Sequence, residues 1–303
     1  MTTIQTLIDA AATGAVYALM AVGIGLVFGV LRLVNFAYGQ LVMAGAYALA
    51  LTNDLNPILS ILVCFAVVIA LTMTMDVVAF RPLRRHGASP ATMLVATFAI
   101  SFLLQSIATL RLGVLGRTVG TLTGLNGPIG DGRLIVRWIW IVAIVVAAVT
   151  LALLLLLLNR TGLGLHMRAA AADFRTARLL GVRANAVISL AVLLSGVIAA
   201  IVAVVMTVET PYVTSDYALR DTIIVLVGVV VGGIDRLWSA TLGGFAIGFG
   251  TGVLNGYLPS TGTWPFTSGV YLDSAVFAFV ILVLLLRPDG LFVRRERGAV
   301  ERV

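Results

Sequence analysis

The sequence predicts an all-α, polytopic membrane helix bundle of about eight to ten transmembrane or half-spanning helices. Three observations carry this. The 303 residues are 60% hydrophobic and only 11% charged, with a mean hydropathy of +1.10, which is the composition of a chain solvated by lipid. Apolar runs recur along the whole length, cut by Pro, Gly and charge. The positive charge is distributed unevenly between alternate connections, as the positive-inside rule requires of a multi-spanning protein. We read residues 1–303 as one transmembrane domain.

The first run, 6–30, has no positive charge ahead of it and no small-residue cleavage pattern, so it reads as a membrane helix and not as a removable signal. Further runs fall at 34–52, 57–80, 91–110, 138–158, 184–207, 221–233, 239–257 and 270–286. Asn53-Asp54-Leu55-Asn56-Pro57, Arg81-Pro82-Leu83-Arg84-Arg85, Asn159-Arg160 and Arg287-Pro288-Asp289-Gly290 separate them, because Pro and Gly break helices and charge resists hydrocarbon. The run 221–233 is too short to cross a core of about 30 Å; it is a half-helix or continues into its neighbour.

All cationic residues are arginine. Without lysine there is no Walker A lysine and no Schiff base, so any ATP must be hydrolysed by another chain. The net charge of +7 does not point to nucleic acid, since the arginines flank membrane helices without interleaved aromatics. Placing Arg81, Arg84 and Arg85 in the cytoplasm also places Arg32, segment 160–183, Arg236 and the tail there, fifteen of the twenty arginines. That predicts an outside N-terminus and a cytoplasmic C-terminus. Cys64 has no partner for a disulfide, and neither His86 nor His166 has metal-ligand spacing to other residues. No metal, cofactor or catalytic constellation is predicted.

Gly244, Gly248, Gly252 and Gly256 recur at every fourth position, forming a stripe that permits close helix packing. Gly228–Gly232 and Gly25–Gly29 repeat the spacing. A weak internal echo relates Leu26–Gln40 to the region from Val230 onwards: an apolar half, a Gly break, an Arg, a second apolar half. Such interrupted segments mark solute paths in transporters. Asn35, Tyr38 and Gln40 open the second run and Gln105 lies in the fourth; in hydrocarbon these groups need partners, so they either bond neighbouring helices or line a path for a polar solute. Asp9, Asp76 and Asp273 lie near run ends, where a carboxylate reaches interfacial water.

Segment 160–183 is an Arg-rich insert longer than the 2–8 residues that usually join bundle helices. Residues 165–180 are strongly helix-forming, with Gly162 and Gly164 punctuating the start and Gly181 a fitting stop. Arg168, Arg175 and Arg178 fall within about 80° of one another around the helix, with His166 and Asp173 on the opposite side. Docking to a soluble protein and lying on anionic lipid are the two readings of such a helix.

The chain resembles the integral membrane permease subunits of branched-chain amino-acid ABC importers. The resemblance rests on Gly14-Ala15-Val16-Tyr17-Ala18-Leu19, on Gly29-Val30-Leu31-Arg32-Leu33-Val34-Asn35-Phe36-Ala37-Tyr38-Gly39, on Arg81-Pro82-Leu83-Arg84-Arg85, on Thr161-Gly162-Leu163-Gly164 with Arg168-Ala169, on Asp173 with Ala177 and Gly181, and on Arg287-Pro288-Asp289-Gly290-Leu291-Phe292. It implies that 160–183 is the coupling segment, with Gly164, Arg168, Asp173, Arg175, Ala177, Arg178 and Gly181 as its contacts to a cytoplasmic ATP-binding subunit. It further implies a second permease chain, homologous or identical, a periplasmic solute-binding protein, and a place in the lipid of a bacterial inner membrane. That family commonly has His where this chain has Tyr38 and an acid where it has Gln40. The departure bears on the transported compound, since related systems carry urea, short amides or aromatic-acid derivatives. An autonomous channel or secondary transporter is the competing reading, and it predicts flux through this chain alone.

Overall fold

The computed structural model describes residues 3–31, 34–113, 115–129, 136–172, 174–179, 181, 184–233, 237–257 and 278. In chain order the elements are α1 (Thr3–Leu31), α2 (Tyr38–Leu51), α3 (Pro57–Met75), one π-helical turn (Asp76–Phe80), α4 (Arg81–Arg85) and α5 (Pro90–Leu112). There follow β1 (Arg117–Thr118), a 3-10 turn (Thr123–Asn126), β2 (Pro128–Ile129), β3 (Val136–Arg137) and α6 (Trp138–Arg160). The chain continues through α7 (Gly162–Ala172), α8 (Phe174–Leu179), α9 (Ala184–Glu209), β4 (Tyr212–Val213), α10 (Leu219–Gly232) and α11 (Leu237–Tyr257). Among the described residues six helical spans are long and apolar enough to cross a membrane. Eight of the nine predicted runs coincide with helices; the ninth, 270–286, and Asp273 lie outside the described residues, Ala278 apart.

Local chemistry sets the helix ends. Asn56 precedes Pro57 and accepts the Ile58 N–H on its side chain, and Ser89 does the same for Thr92 ahead of Pro90, pairing a polar N-cap with a proline whose missing N–H costs nothing at the first helical position. The second predicted run starts late: residues 34–37 are not helical and α2 begins only at Tyr38. The reason is a competing local bond, in which Asn35 Oδ1 accepts the Ala37 N–H at 3.1 Å and holds the turn open.

α1 is the centre of the bundle. In its most apolar window 83% of residues are buried, against 17% for α6, so α1 is surrounded by protein whereas α6 leaves an apolar face that this chain does not cover. Antiparallel to α1 runs α11, and the four predicted glycines form the seam. A Cβ at Gly252 would lie 2.5 Å from Ala10 Cα, and one at Gly248 would lie 2.9 Å from Gly14 Cα. At Gly244 it would meet Ala21 and Tyr17, and at Gly256 the Thr6 side chain. No side chain fits between these backbones, and the contact they make is van der Waals packing of the kind that drives helix association in lipid.

Helix direction and pairing sort the connections into two ends. Where α1 starts and α11 finishes, β1 pairs antiparallel with β4 and β2 with β3. There Asn53 donates its Nδ2 to Thr118 O at 2.8 Å and accepts Gly120 N–H on Oδ1 at 2.8 Å. The part of the long connection around Arg117–Thr121 is therefore folded onto the bundle. At the opposite end lie α4, the α7–α8 hairpin and the start of α9. The two junctions of the internal echo differ in order: a long helix (α1) precedes a short one (α2) at the first, and a short one (α10) precedes a long one (α11) at the second. Arg32 and Arg236, which completed the echo, lie outside the described residues.

Replacing Gly252 with Leu should force α1 and α11 apart and lower stability by about 1–3 kcal/mol, the usual cost of overpacking. A Cβ added at Gly250 would have nothing within 4 Å, so Gly250→Ala should be neutral or stabilising by up to about 1 kcal/mol. Thermal unfolding of both variants in detergent checks the pair.

Candidate functional site: a half-helix junction and a basic hairpin

Three of the four expected path residues meet in one place. Asn35 is 2% exposed, Tyr38 fully buried and Gln40 1% exposed, all at the start of α2. Fourteen residues make α2 about 21 Å long, short of the hydrocarbon thickness, and its first turn lies within the bundle. The Tyr38 ring occupies the space left by Gly23 of α1, where a Cβ would stand 2.7 Å from the ring. The Gly23 carbonyl accepts the Ser195 hydroxyl of α9 at 2.7 Å. On the other side Gly39 faces α10, with Thr222 Oγ1 2.5 Å and Ala218 O 2.7 Å from where its Cβ would be. The N-terminal turns of α2 and α10 thus meet, and two sets of helix N–H dipoles converge in the bundle interior. Run 221–233 is accordingly the C-terminal part of a half-helix, α10.

Tyr38 OH and Gln40 Oε1 have no hydrogen-bond partner among the described residues. Asn35 differs, because its amide oxygen is occupied by the Ala37 N–H, while Phe36 stacks on Phe98 at 3.9 Å and donates its N–H to Thr97 Oγ1 at 3.4 Å. Asn35 shapes the turn that carries Tyr38. Gln105 is half-buried on α5, and no hydrogen bond among the described residues joins it to the other three.

Residues that did not stand out in the sequence form a polar rim between this junction and the end where α1 starts. Tyr17 of α1 donates its hydroxyl to Asp221 Oδ1 of α10 at 2.7 Å. Glu209, closing α9, lies within electrostatic range of Asp221, Arg137 and Asp9. Arg137 sits 5.2 Å over the Trp140 ring and donates to Asn126 Oδ1 at 3.3 Å. Tyr217 donates to Thr210 O at 2.9 Å, and its burial raises the phenol well above its ordinary pKa. The signal for this rim was present in the lone acids Glu209 and Asp221, each closing or opening an apolar run.

At the opposite end, Asp76 departs from its expected place in interfacial water. It is 0% exposed and paired with Arg81 and Arg84.

The insert 160–183 forms two helices, α7 and α8, and one of its glycines acts differently from expectation. Gly164 does not punctuate the start: α7 begins at Gly162, and Gly164 is buried against the backbone of Leu158, which a Cβ would strike. Arg168 is not a free basic edge either. Its guanidinium donates to Leu158 O and, at 3.1 Å, to Asn159 Oδ1, capping the end of α6 as a cation should at a helix C-terminus. Ala177 is buried at 5% exposure. Arg175 and Arg178 lie on α8, and Asp173 falls outside the described residues. Gly181 has φ +88° with open space around it, so only glycine fits the turn without backbone strain. Leu163, His166, Gly181, Ala186, Val187 and Leu190 line a recess of about 360 Å³ between the hairpin and α9.

Comparison with known proteins places this arrangement. The family described as branched-chain amino acid transport system / permease component matches residues 6–286. The chain belongs to this permease family. Among its relatives, the high-affinity branched-chain amino acid transport permease BraD of Pseudomonas aeruginosa is 29% identical, over 99% of this chain and 98% of its own. LivH of Escherichia coli, of the same description, is 28% identical over 99% and 97%. A LivH protein of Methanocaldococcus jannaschii is 27% identical over 90% and 87%. Two solved structures share the fold: an inward-facing ABC transporter described as of metal-chelate type (TM-score 0.51, 19% identity, 94% of this chain and 87% of that one), and PsaBC of Streptococcus pneumoniae (TM-score 0.50, 14% identity, 93% and 91%). As a member of the permease family the chain is a multi-pass membrane transport component and not an enzyme.

Removing the Tyr38 hydroxyl deletes a buried group with no partner among the described residues, so Tyr38→Phe should keep or raise stability, by up to about 1–2 kcal/mol. Asn35→Ala leaves the Ala37 N–H bare and should cost about 1–3 kcal/mol. Opposite shifts in melting temperature are the expected result.

Proposed function

We propose that this chain is one permease half of an ATP-driven importer for branched-chain amino acids or a closely related small polar solute, set in a bacterial inner membrane. The family match over nearly the whole length carries the reading. The positive-inside rule supports an outside position for the end where α1 starts, since Arg81, Arg84, Arg85, Arg160, Arg168, Arg175 and Arg178 belong to the other end. A periplasmic binding protein then delivers solute to the polar rim of Tyr17, Glu209, Asp221 and Arg137. From there the path leads to the junction of α2 and α10, where Tyr38 and Gln40 hold spare hydrogen-bonding atoms. The converging helix N-termini suit the carboxylate of an amino acid. With Tyr38 and Gln40 in the path, selectivity is set by neutral hydrogen-bonding groups.

On the cytoplasmic side α7 and α8 are the coupling segment. They seat on the ATP-binding subunit, with Asp173, Arg175 and Arg178 among the contacts, while Gly164, Arg168, Ala177 and Gly181 maintain the hairpin's shape. A second permease chain completes the pathway.

Co-purification with the ATP-binding subunit tests this, with and without residues 160–183 replaced by a neutral linker. Binding should vanish on replacement while the chain stays folded. Flux through the purified chain alone, insensitive to ATP, would instead establish an autonomous channel or secondary transporter. Gly181→Val puts a β-branched residue at φ +88°, costing roughly 1–3 kcal/mol of strain. Assembled complexes carrying it should hydrolyse ATP while solute flux falls at least several-fold; full transport by Gly181→Val would show that the turn is not needed.

A further inference from the structure

The π-helical turn at Asp76–Phe80 gathers three ionic residues of one span into a cluster that Ser189 ties to a second span. In an α-helix a residue five positions on lies roughly 140° round the axis; an i→i+5 turn brings it back over the first. That is what happens here. The Arg81 N–H bonds Asp76 O, and Arg81 Nε donates to Asp76 Oδ2 at 2.9 Å. Arg84, one turn further, donates through Nη2 to Oδ1 at 3.1 Å. The same carboxylate crosses to α9, where the Ser189 hydroxyl donates to Asp76 Oδ2 at 2.7 Å and accepts from Arg81 Nη2 at 3.0 Å.

The position of this clamp gives it meaning. Ser189 stands in the second turn of α9, and α9 follows directly on the α7–α8 hairpin. Above it α3 meets α9 by close packing without ion pairs among the described residues, Thr72 against Gly196, and Gly45 of α2 packs against both Val68 of α3 and Ala203 of α9. An ion pair with a buried carboxylate adds little net stability, because desolvation offsets its attraction. What it supplies is direction, through charge-assisted bonds of fixed geometry.

We propose that Asp76 is a positioning residue for coupling. Through Ser189 it fixes the cytoplasmic end of α9 to the end of α3, so that a displacement of the hairpin moves both spans together. This rests on the importer reading, and the experiment separates the two. The full complex, with ATP-binding subunits, second permease chain and binding protein, is reconstituted in proteoliposomes, and ATP hydrolysis and solute uptake are measured in the same vesicles. ATP-dependent uptake by the unmodified complex is the reference; its absence overturns the importer reading and this one with it.

Ser189→Ala removes the inter-helix bond but keeps the carboxylate and both arginines, so the chain should fold and assemble normally. The ATP consumed per solute should rise by roughly tenfold, the size of one hydrogen bond to a charged group. Ser189→Thr keeps the hydroxyl and should restore the ratio. Asp76→Asn should raise it further where the complex assembles. An unchanged ratio in Ser189→Ala, or a rise that Ser189→Thr fails to reverse, overturns the proposal.

Discussion

The close approach of α1 and α11 is the constraint from which the rest follows. Lipid gives two apolar helices no hydrophobic reason to associate, so their contact must come from surfaces that fit. Gly244, Gly248, Gly252 and Gly256 give α11 a flat face, and Ala10, Gly14 and Ala21 give α1 a matching one. With α11 seated that tightly, α1 still has surface for α6, α9 and α10. Only a helix surrounded on all sides can hold Tyr17 and Gly23 where the half-helices reach them.

The bundle architecture was open to sequence reasoning because its determinants are local. Apolar run length, the polar N-caps Asn56 and Ser89 ahead of proline, and the i, i+4 glycine spacing each act within a few residues. The site was legible only in part. Asn35, Tyr38 and Gln40 stood out as polar residues beginning an apolar run, yet their different roles depend on Gly23 in the preceding helix and on Thr97 and Thr222, far away in sequence. Tyr17 and Asp221, 204 positions apart, could not be paired from the chain alone. Arg168 looked like a surface charge because the helical wheel shows which side a residue takes, and not that α7 folds back to bring it onto the end of α6. Asp76 looked interfacial for a similar reason: the π turn that gathers Arg81 and Arg84 around it shifts the register that an α-helical projection assumes.

The two short helices work as a pair. A transmembrane helix satisfies its own backbone, whereas one that starts inside the bundle leaves N–H groups for other partners. Such interruptions occur only where protein or water can answer those groups. In α2 and α10 the interruptions face each other, and side chains with unfilled hydrogen-bonding capacity, Tyr38 and Gln40, sit at the junction. The polar interior is built from the ends of helices, and among the described residues the fully buried carboxylate belongs to the Asp76 clamp.

The α7–α8 hairpin has two roots of unlike character. Gly164 and Arg168 weld it to the end of α6, and its other end runs into α9. Only 17% of the most apolar window of α6 is buried in this chain, against 61% for α9. A push on the hairpin therefore meets elastic resistance from packed side chains chiefly at the α9 root. The α9 root carries load inward to the core, and the α6 root carries it outward to the surroundings of the chain, so one segment addresses both.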